Sequence, residues 1–132
     1  MPPSCKKVTH AFYASYVHTD DFTKLRDYNV PLFEHFLTAI DTVAGENLQR
    51  ICLQTGGKHY GPHLGPVVAP MTEDLPRYAD DGVNFYYSQE DFMFNLQKHR
   101  KWSQHHSPKW HRRSHPWQYV SGYPNIADFD QP

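Results

Sequence analysis

Two side chains in this sequence have the type and setting for proton and hydride chemistry. Lys58 stands in Leu53-Gln54-Thr55-Gly56-Gly57-Lys58-His59-Tyr60-Gly61-Pro62, and Tyr86 in Asn84-Phe85-Tyr86-Tyr87-Ser88-Gln89-Glu90-Asp91. A lysine just past a strand end and a tyrosine opening a later helix are parts that a reductase uses. The ammonium fixes a ribose and lowers the tyrosine pKa; the phenol then stands over the substrate oxygen as acid or oxyanion donor. Spacing alone does not separate such a pair from a surface lysine and a half-buried tyrosine, so the elements that carry them have to be read.

Residues 7–17 read as a strand. Val8, Phe12, Ala14 and Tyr16 share one face, and Ala11, Tyr13 and Val17 the other. Apolar residues on both faces suit a parallel strand covered by helices on each side. Residues 18–27 are polar and read as a loop. Asn29 is placed to cap a helix, with Pro31 in its first turn. Val30, Phe33, Phe36, Leu37, Ile40 and Val43 then recur at helical spacing up to Gly45. Residues 48–54 form a second short strand. Strand, helix, strand with a crossover of this length is a right-handed βαβ unit. Residues 56–81 are rich in glycine and proline and read as a long functional loop. Asn84 opens another helix, roughly over 84–99, with Tyr86, Met93, Phe94 and Leu96 giving it a partly apolar surface.

In open α/β sheets, ligands bind beyond the carboxyl ends of the strands. Thr55, Gly56 and Lys58 follow the second strand directly, and the loop after Val17 lies on the same edge. Tyr86, at the start of the later helix, can reach that edge too, so Lys58 and Tyr86 are expected to converge. The expected class is α/β: a partial Rossmann-type, doubly wound parallel sheet.

Several words of the sequence carry a family resemblance. Thr55-Gly56-Gly57-Lys58-His59-Tyr60-Gly61-Pro62, Glu73-Asp74-Leu75-Pro76-Arg77 and Asn84-Phe85-Tyr86-Tyr87 with Glu90-Asp91 resemble the progesterone 5β-reductase and iridoid synthase-like family of atypical, extended short-chain dehydrogenases/reductases. Thr9-His10-Ala11-Phe12-Tyr13 resembles its fourth sheet strand, and the likeness covers roughly residues 7–102. It implies an NADPH-dependent reductase of C=C bonds activated by a neighbouring carbonyl, in the biosynthesis of a small natural product. It places the catalytic pair at Lys58 and Tyr86, with Tyr87 as the alternative tyrosine. The usual short-chain pattern has a lysine four residues after the tyrosine; Glu90 stands there, in keeping with the family's relocated lysine. Tyr13, Ala14, Ser15, Thr55, Gly56 and Lys58 are implied to border the cofactor.

The sequence also departs from that family. No Gly-x-x-Gly-x-x-Gly occurs, and the chain begins about where the fourth strand should, so residues 1–102 read as a truncated NAD(P)-binding Rossmann-like domain. After Lys101-Trp102-Ser103 the family has a buried strand and an Arg-Pro-x-x-Ile-x-Gly word. Here residues 103–132 follow neither strand nor helix period and read as an irregular, disordered tail. Reading the codons of Gln104 to Ser114 one base later permits Asn-Ile-Ile-Arg-Pro-Ser-Gly-Ile-Val-Gly, which sets a frame-shifted or mis-spliced tail beside the alternative of a genuine divergent one.

Composition narrows the remaining classes. With 132 residues and net charge −1, the chain lacks an electrostatic footprint for nucleic acid or membrane. Cys52 sits in an apolar run and reads as a buried free thiol, far from Cys5. The start has no apolar leader and no run approaches a membrane span, which implies a cytoplasmic protein, and the resemblance implies a small-molecule substrate. His106, His111 and His115 have near-zinc spacing, but no cysteine lies close and Pro108 and Pro116 break the stretch, so no metal site is expected. Glu73-Asp74 and Asp80-Asp81 read as solvated charges. Two rivals to the enzyme reading stand: a catalytically silent truncated product acting as an interaction protein, and a small metal-binding protein.

Overall fold

The computed structural model describes residues 3–72, 75–79 and 82–107. Three strands form a parallel sheet in the order β1 (His10–Tyr13), β2 (Arg50–Gln54), β3 (Ser103–Ser107). Ala11 pairs with Ile51 and Tyr13 with Leu53; Ile51 in turn pairs with Gln104 and Leu53 with His106. Two helices connect them, α1 (Leu25–Ala44) and α2 (Phe85–Gln97). Strand alternation sends Ala11, Tyr13, Ile51 and Leu53 to one side of the sheet. There they meet Phe33, Leu37, Ile40 and Ala44, which recur every three to four residues along α1, and Met93 from α2.

Trp102 closes the bottom of this core, 2% exposed, and its indole Nε1 donates to the Asp41 carboxylate at 2.9 Å. Arg100 Nε donates to the same carboxylate at 2.8 Å. The lead-in to β3 is thereby tied to the last turns of α1.

The structure corrects the sequence reading in four places. First, residues 103–107 are a strand and not the start of an irregular tail. Strand pairing uses backbone groups: Ser103 N–H donates to Gln49 C=O at 2.9 Å once Trp102 has anchored the segment beside β2. The expectations for 108–132, including His111 and His115, and for Glu73-Asp74 and Asp80-Asp81, lie outside the described residues.

Second, α1 begins at Leu25, inside the expected loop, behind a 3-10 turn over Phe22–Lys24 that Asp21 caps through Thr23 N–H at 3.1 Å. Asn29 is therefore inside the helix and caps nothing, and Pro31 is an interior residue whose missing N–H is tolerated at one turn.

Third, only one sheet face is covered among the described residues. Two right-handed crossovers that advance in the same direction, β1 to β2 to β3, place both helices on the same side. Phe12, on the other side, is 74% exposed. Fourth, Cys52 shares that open face and is half-buried, a free thiol as expected but not a core one.

Candidate active site

β1 and β2 end side by side, with Tyr13 opposite Leu53, and the chain beyond both ends forms one rim. After β2 the chain makes a 3-10 turn, Gly57–Tyr60, closed by Gly61 in the left-handed region at φ 80°. This turn carries Lys58. The first two turns of α2 hold it in place. Asn84 Nδ2 donates to Lys58 C=O at 2.8 Å, the Tyr87 hydroxyl donates to His59 C=O at 2.5 Å, and His59 Nε2 donates to the Glu90 carboxylate at 2.7 Å. The Lys58 ammonium points to the rim, 5.6 Å from the Tyr16 ring centroid and 5.7 Å from that of Phe22. Aromatic faces at this range stabilise a cation without neutralising it.

Tyr86 enters the same rim from the start of α2, where Asn84 caps the helix by accepting from Tyr86 N–H at 3.2 Å. Its ring lies 4.1 Å from that of buried Phe85, which stacks in turn on Tyr16 at 5.9 Å. Its hydroxyl lies against Gly56, where a Cβ would stand 3.1 Å from it. Burial pushes the Tyr86 phenol up to about 12, the nearby Tyr16 hydroxyl adds to the rise, and the Gly56 N–H offsets part of it. The expectation that Lys58 lowers this pKa is not met: the ammonium sits over Tyr16 and Phe22, and removal from water dominates. At neutral pH Tyr86 is a protonated phenol, equipped to donate.

Each remaining candidate has a definite place. Tyr87 is 6% exposed, and its hydroxyl is engaged on both sides, donating to His59 C=O and accepting from Tyr78 N–H at 2.9 Å. It stands in the wall and not at the rim. Tyr13 sends its side chain into the core, 5.0 Å from the rings of both Phe33 and Phe36, so as a cofactor contact its side chain is misplaced. Strand alternation decides this, because Tyr13 shares the inward face with Ala11. Ala14 and Ser15 are exposed at the end of β1.

Thr55 Oγ1 is buried without a hydrogen-bond partner among the described residues, and the Tyr86 hydroxyl takes the space that a Cβ of Gly56 would enter. The Lys58 ammonium, with no carboxylate partner among the described residues, is the group at this rim that fits the hydroxyls of a nucleotide. Lys58 would hold them, while Thr55, fully buried, stands behind the rim. No glycine-rich element for the pyrophosphate occurs in the sequence.

Sequence reasoning missed Asn29 and the pairing of His59 with Glu90. Asn29, fully buried, accepts from Val17 N–H at 2.8 Å and donates to Val17 C=O and Leu25 C=O, both at 2.9 Å. It thus fixes the strand-to-helix loop that carries Tyr16. Gln89 of α2 donates to Asn29 C=O at 2.8 Å and joins that loop to the tyrosine helix. The only signal for Asn29 was an amide inside a helical pattern. Glu90 signalled itself as a carboxylate where a lysine is usual.

A parallel βαβ layer with a lysine and a tyrosine on its carboxyl rim is the framework of a Rossmann-fold, short-chain dehydrogenase/reductase-like protein. Residues 2–108 match the PRISE-like Rossmann-fold domain, and the chain belongs to that family. It is 44% identical over 103 residues to a short chain dehydrogenase, gsfE, of Penicillium aethiopicum, covering 78% of this chain and 27% of that protein. It is 38% identical over 95 residues to an (S)-8-oxocitronellyl enol synthase of Catharanthus roseus, covering 67% and 23%. To a 3-oxo-Delta(4,5)-steroid 5-beta-reductase of Arabidopsis thaliana it is 39% identical over 95 residues, covering 66% and 23%. The chain spans about a quarter of the length of these curated relatives. No helix among the described residues is long and apolar enough to cross a membrane.

Proposed function

We propose that this chain carries the catalytic rim of an NADPH-dependent reductase acting on a C=C bond conjugated to a carbonyl. The substrate would be a small molecule in a natural-product pathway of the cytoplasm. The reduced nicotinamide, when bound, supplies a hydride for the β-carbon of the enone. Tyr86 donates its hydroxyl hydrogen to the carbonyl oxygen as that oxygen gains enolate character. Lys58 holds the ribose and adds positive charge beside the oxygen. Thr55 and Gly56 form the floor, and Ala14 and Ser15 border the nucleotide.

The observation that carries this reading is the Tyr86 phenol at the rim, its hydroxyl set against Gly56 and its pKa pushed up to about 12 by burial. A phenol so held is suited to donating a hydrogen bond or a proton in the reductive direction. Oxidation of an alcohol would call for an ionised base there. The names of the relatives support the substrate class: two are an enol synthase and a 5-beta-reductase of a 3-oxo-Delta(4,5)-steroid.

The test is a titration of the purified protein with NADPH and with reduced nicotinamide mononucleotide, followed by nicotinamide fluorescence, and then turnover of a cyclic enone. Binding of the mononucleotide that Lys58→Ala weakens about tenfold or more is the expected result. Absence of a fluorescence change with either nucleotide overturns the proposal. The open sheet face, with Phe12 74% exposed, favours a second reading, in which the chain is catalytically silent and acts by associating with another protein. Size-exclusion chromatography beside the nucleotide titration separates the two.

A further inference from the structure

We infer that Asn84, Tyr87 and Glu90 form one positioning face of α2 that sets where the Lys58 ammonium stands relative to Tyr86. The three residues are spaced by three and lie on one side of the helix. Each ends on residue 58 or 59: Asn84 on the Lys58 carbonyl, Tyr87 on the His59 carbonyl, Glu90 on the His59 imidazole. The helix that carries the phenol therefore also holds the turn that carries the ammonium.

Glu90 is the costly member. It is 3% exposed, and a buried carboxylate has to be compensated by well-placed partners. Its Oε1 accepts from His59, and its Oε2 accepts from Arg77 at 2.8 Å. Arg77 also pairs with Asp91 at 2.8 Å and lies over the Tyr87 ring at 4.9 Å. The His59 ring meets the Tyr87 ring edge-on at 5.2 Å. Tyr87 is thus clamped between Arg77 and His59, which keeps its hydroxyl on the turn. With both carbonyls and the imidazole pinned, the Lys58 side chain starts from a fixed point and reaches Tyr16 and Phe22. A carboxylate four residues after the tyrosine does the placing that a lysine there would otherwise do directly. Asn84, Tyr87, Glu90 and His59 are positioning residues and touch no reacting atom. The chemical importance of this face rests on the role proposed above for Lys58, but its placement of the ammonium is testable without turnover.

The readout is the NMR signal of Lys58 after reductive methylation with carbon-13 formaldehyde, assigned with Lys58→Arg. The Tyr16 and Phe22 rings should displace it upfield of exposed lysines such as Lys7 and Lys101. Glu90→Gln and His59→Ala are expected to return it to the position of the exposed lysines while the rest of the spectrum stays dispersed. His59→Gln, which keeps a donor toward Glu90, should recover part of the displacement. Arg77→Gln loosens the same network from its far side and should lower the unfolding midpoint while moving the Lys58 signal less than Glu90→Gln does.

A folded Glu90→Gln protein with an unmoved Lys58 signal overturns the inference, and so does an Arg77→Gln protein whose Lys58 signal moves equally. If Glu90→Gln fails to fold, Asn84→Ala, which removes the bonds to the Lys58 and His59 carbonyls, and Tyr87→Phe, which removes the hydroxyl bond to the His59 carbonyl, decide in the same way. Loss of nucleotide binding with an intact ring-displaced Lys58 would defeat the proposed function and leave this inference standing.

Discussion

The Tyr86 hydroxyl lies against Gly56 so closely that a Cβ there would stand 3.1 Å from it. Gly56 has φ −131° and ψ −173°, extended backbone open to any residue, so glycine is needed for room and not for conformation. The first prediction follows from this contact. Gly56→Ala displaces the phenol and weakens the influence of the Gly56 N–H, which favours the phenolate. The Tyr86 pKa should then rise beyond its present value of about 12. Ultraviolet difference titration at alkaline pH reads the change, and an unmoved Tyr86 titration would count against the contact.

Alkaline stability carries the second prediction. Tyr86 has its folded-state pKa raised from 10.0 to about 12. Between those values the unfolded chain releases this proton while the folded chain keeps it. Stability is therefore full below the lower value and declines as pH climbs through the higher one. Tyr86→Phe should flatten this part of the alkaline profile in chemical denaturation. A profile that is equally steep in the variant would refute the assignment.

The two adjacent tyrosines should separate cleanly. Tyr86→Phe removes the donor at the rim and is expected to lower enone turnover about 100-fold or more, with stability changed by only about 1 kcal/mol. Tyr87→Phe removes the hydroxyl that donates to the His59 carbonyl and accepts from Tyr78 N–H. It should destabilise by about 1–3 kcal/mol, read by urea unfolding. A variant pair with the opposite pattern would exchange the roles of the two residues.

Asn29→Leu is the fourth prediction. It deletes three hydrogen bonds from a fully buried site and unties the Val17 loop from α1. A loss of about 1–3 kcal/mol is expected, because water can reach the half-exposed Val17 side of the site. Hydrogen exchange should show Val17 N–H opening faster than the amides of α1. An Asn29→Leu protein of undiminished stability would show that the amide is dispensable.

Much of this molecule was legible locally. The βαβ order followed from periodicity, and Asn84 as the α2 cap followed from residue type and position, since an amide side chain accepting from the second N–H of a helix is a short-range event. The same logic failed at Asn29, because cap chemistry and a buried amide bridge use the same residue and differ only in which distant segment lies beside it. The strand over Ser103–Ser107 was illegible for a related reason: its polar side chains hide a pairing made by backbone atoms next to β2.

The sequence by itself determined the parallel βαβ frame and put a lysine and a tyrosine just beyond the strand ends, because strand and helix periods are set by neighbours along the chain. Tertiary structure decided which tyrosine faces the rim and which braces the turn, that both helices cover one side of the sheet, and that Lys58 rests on Tyr16 and Phe22. It also decided the sign of the Tyr86 shift. Those outcomes depend on which groups from remote segments share one small volume and on how much water that volume retains.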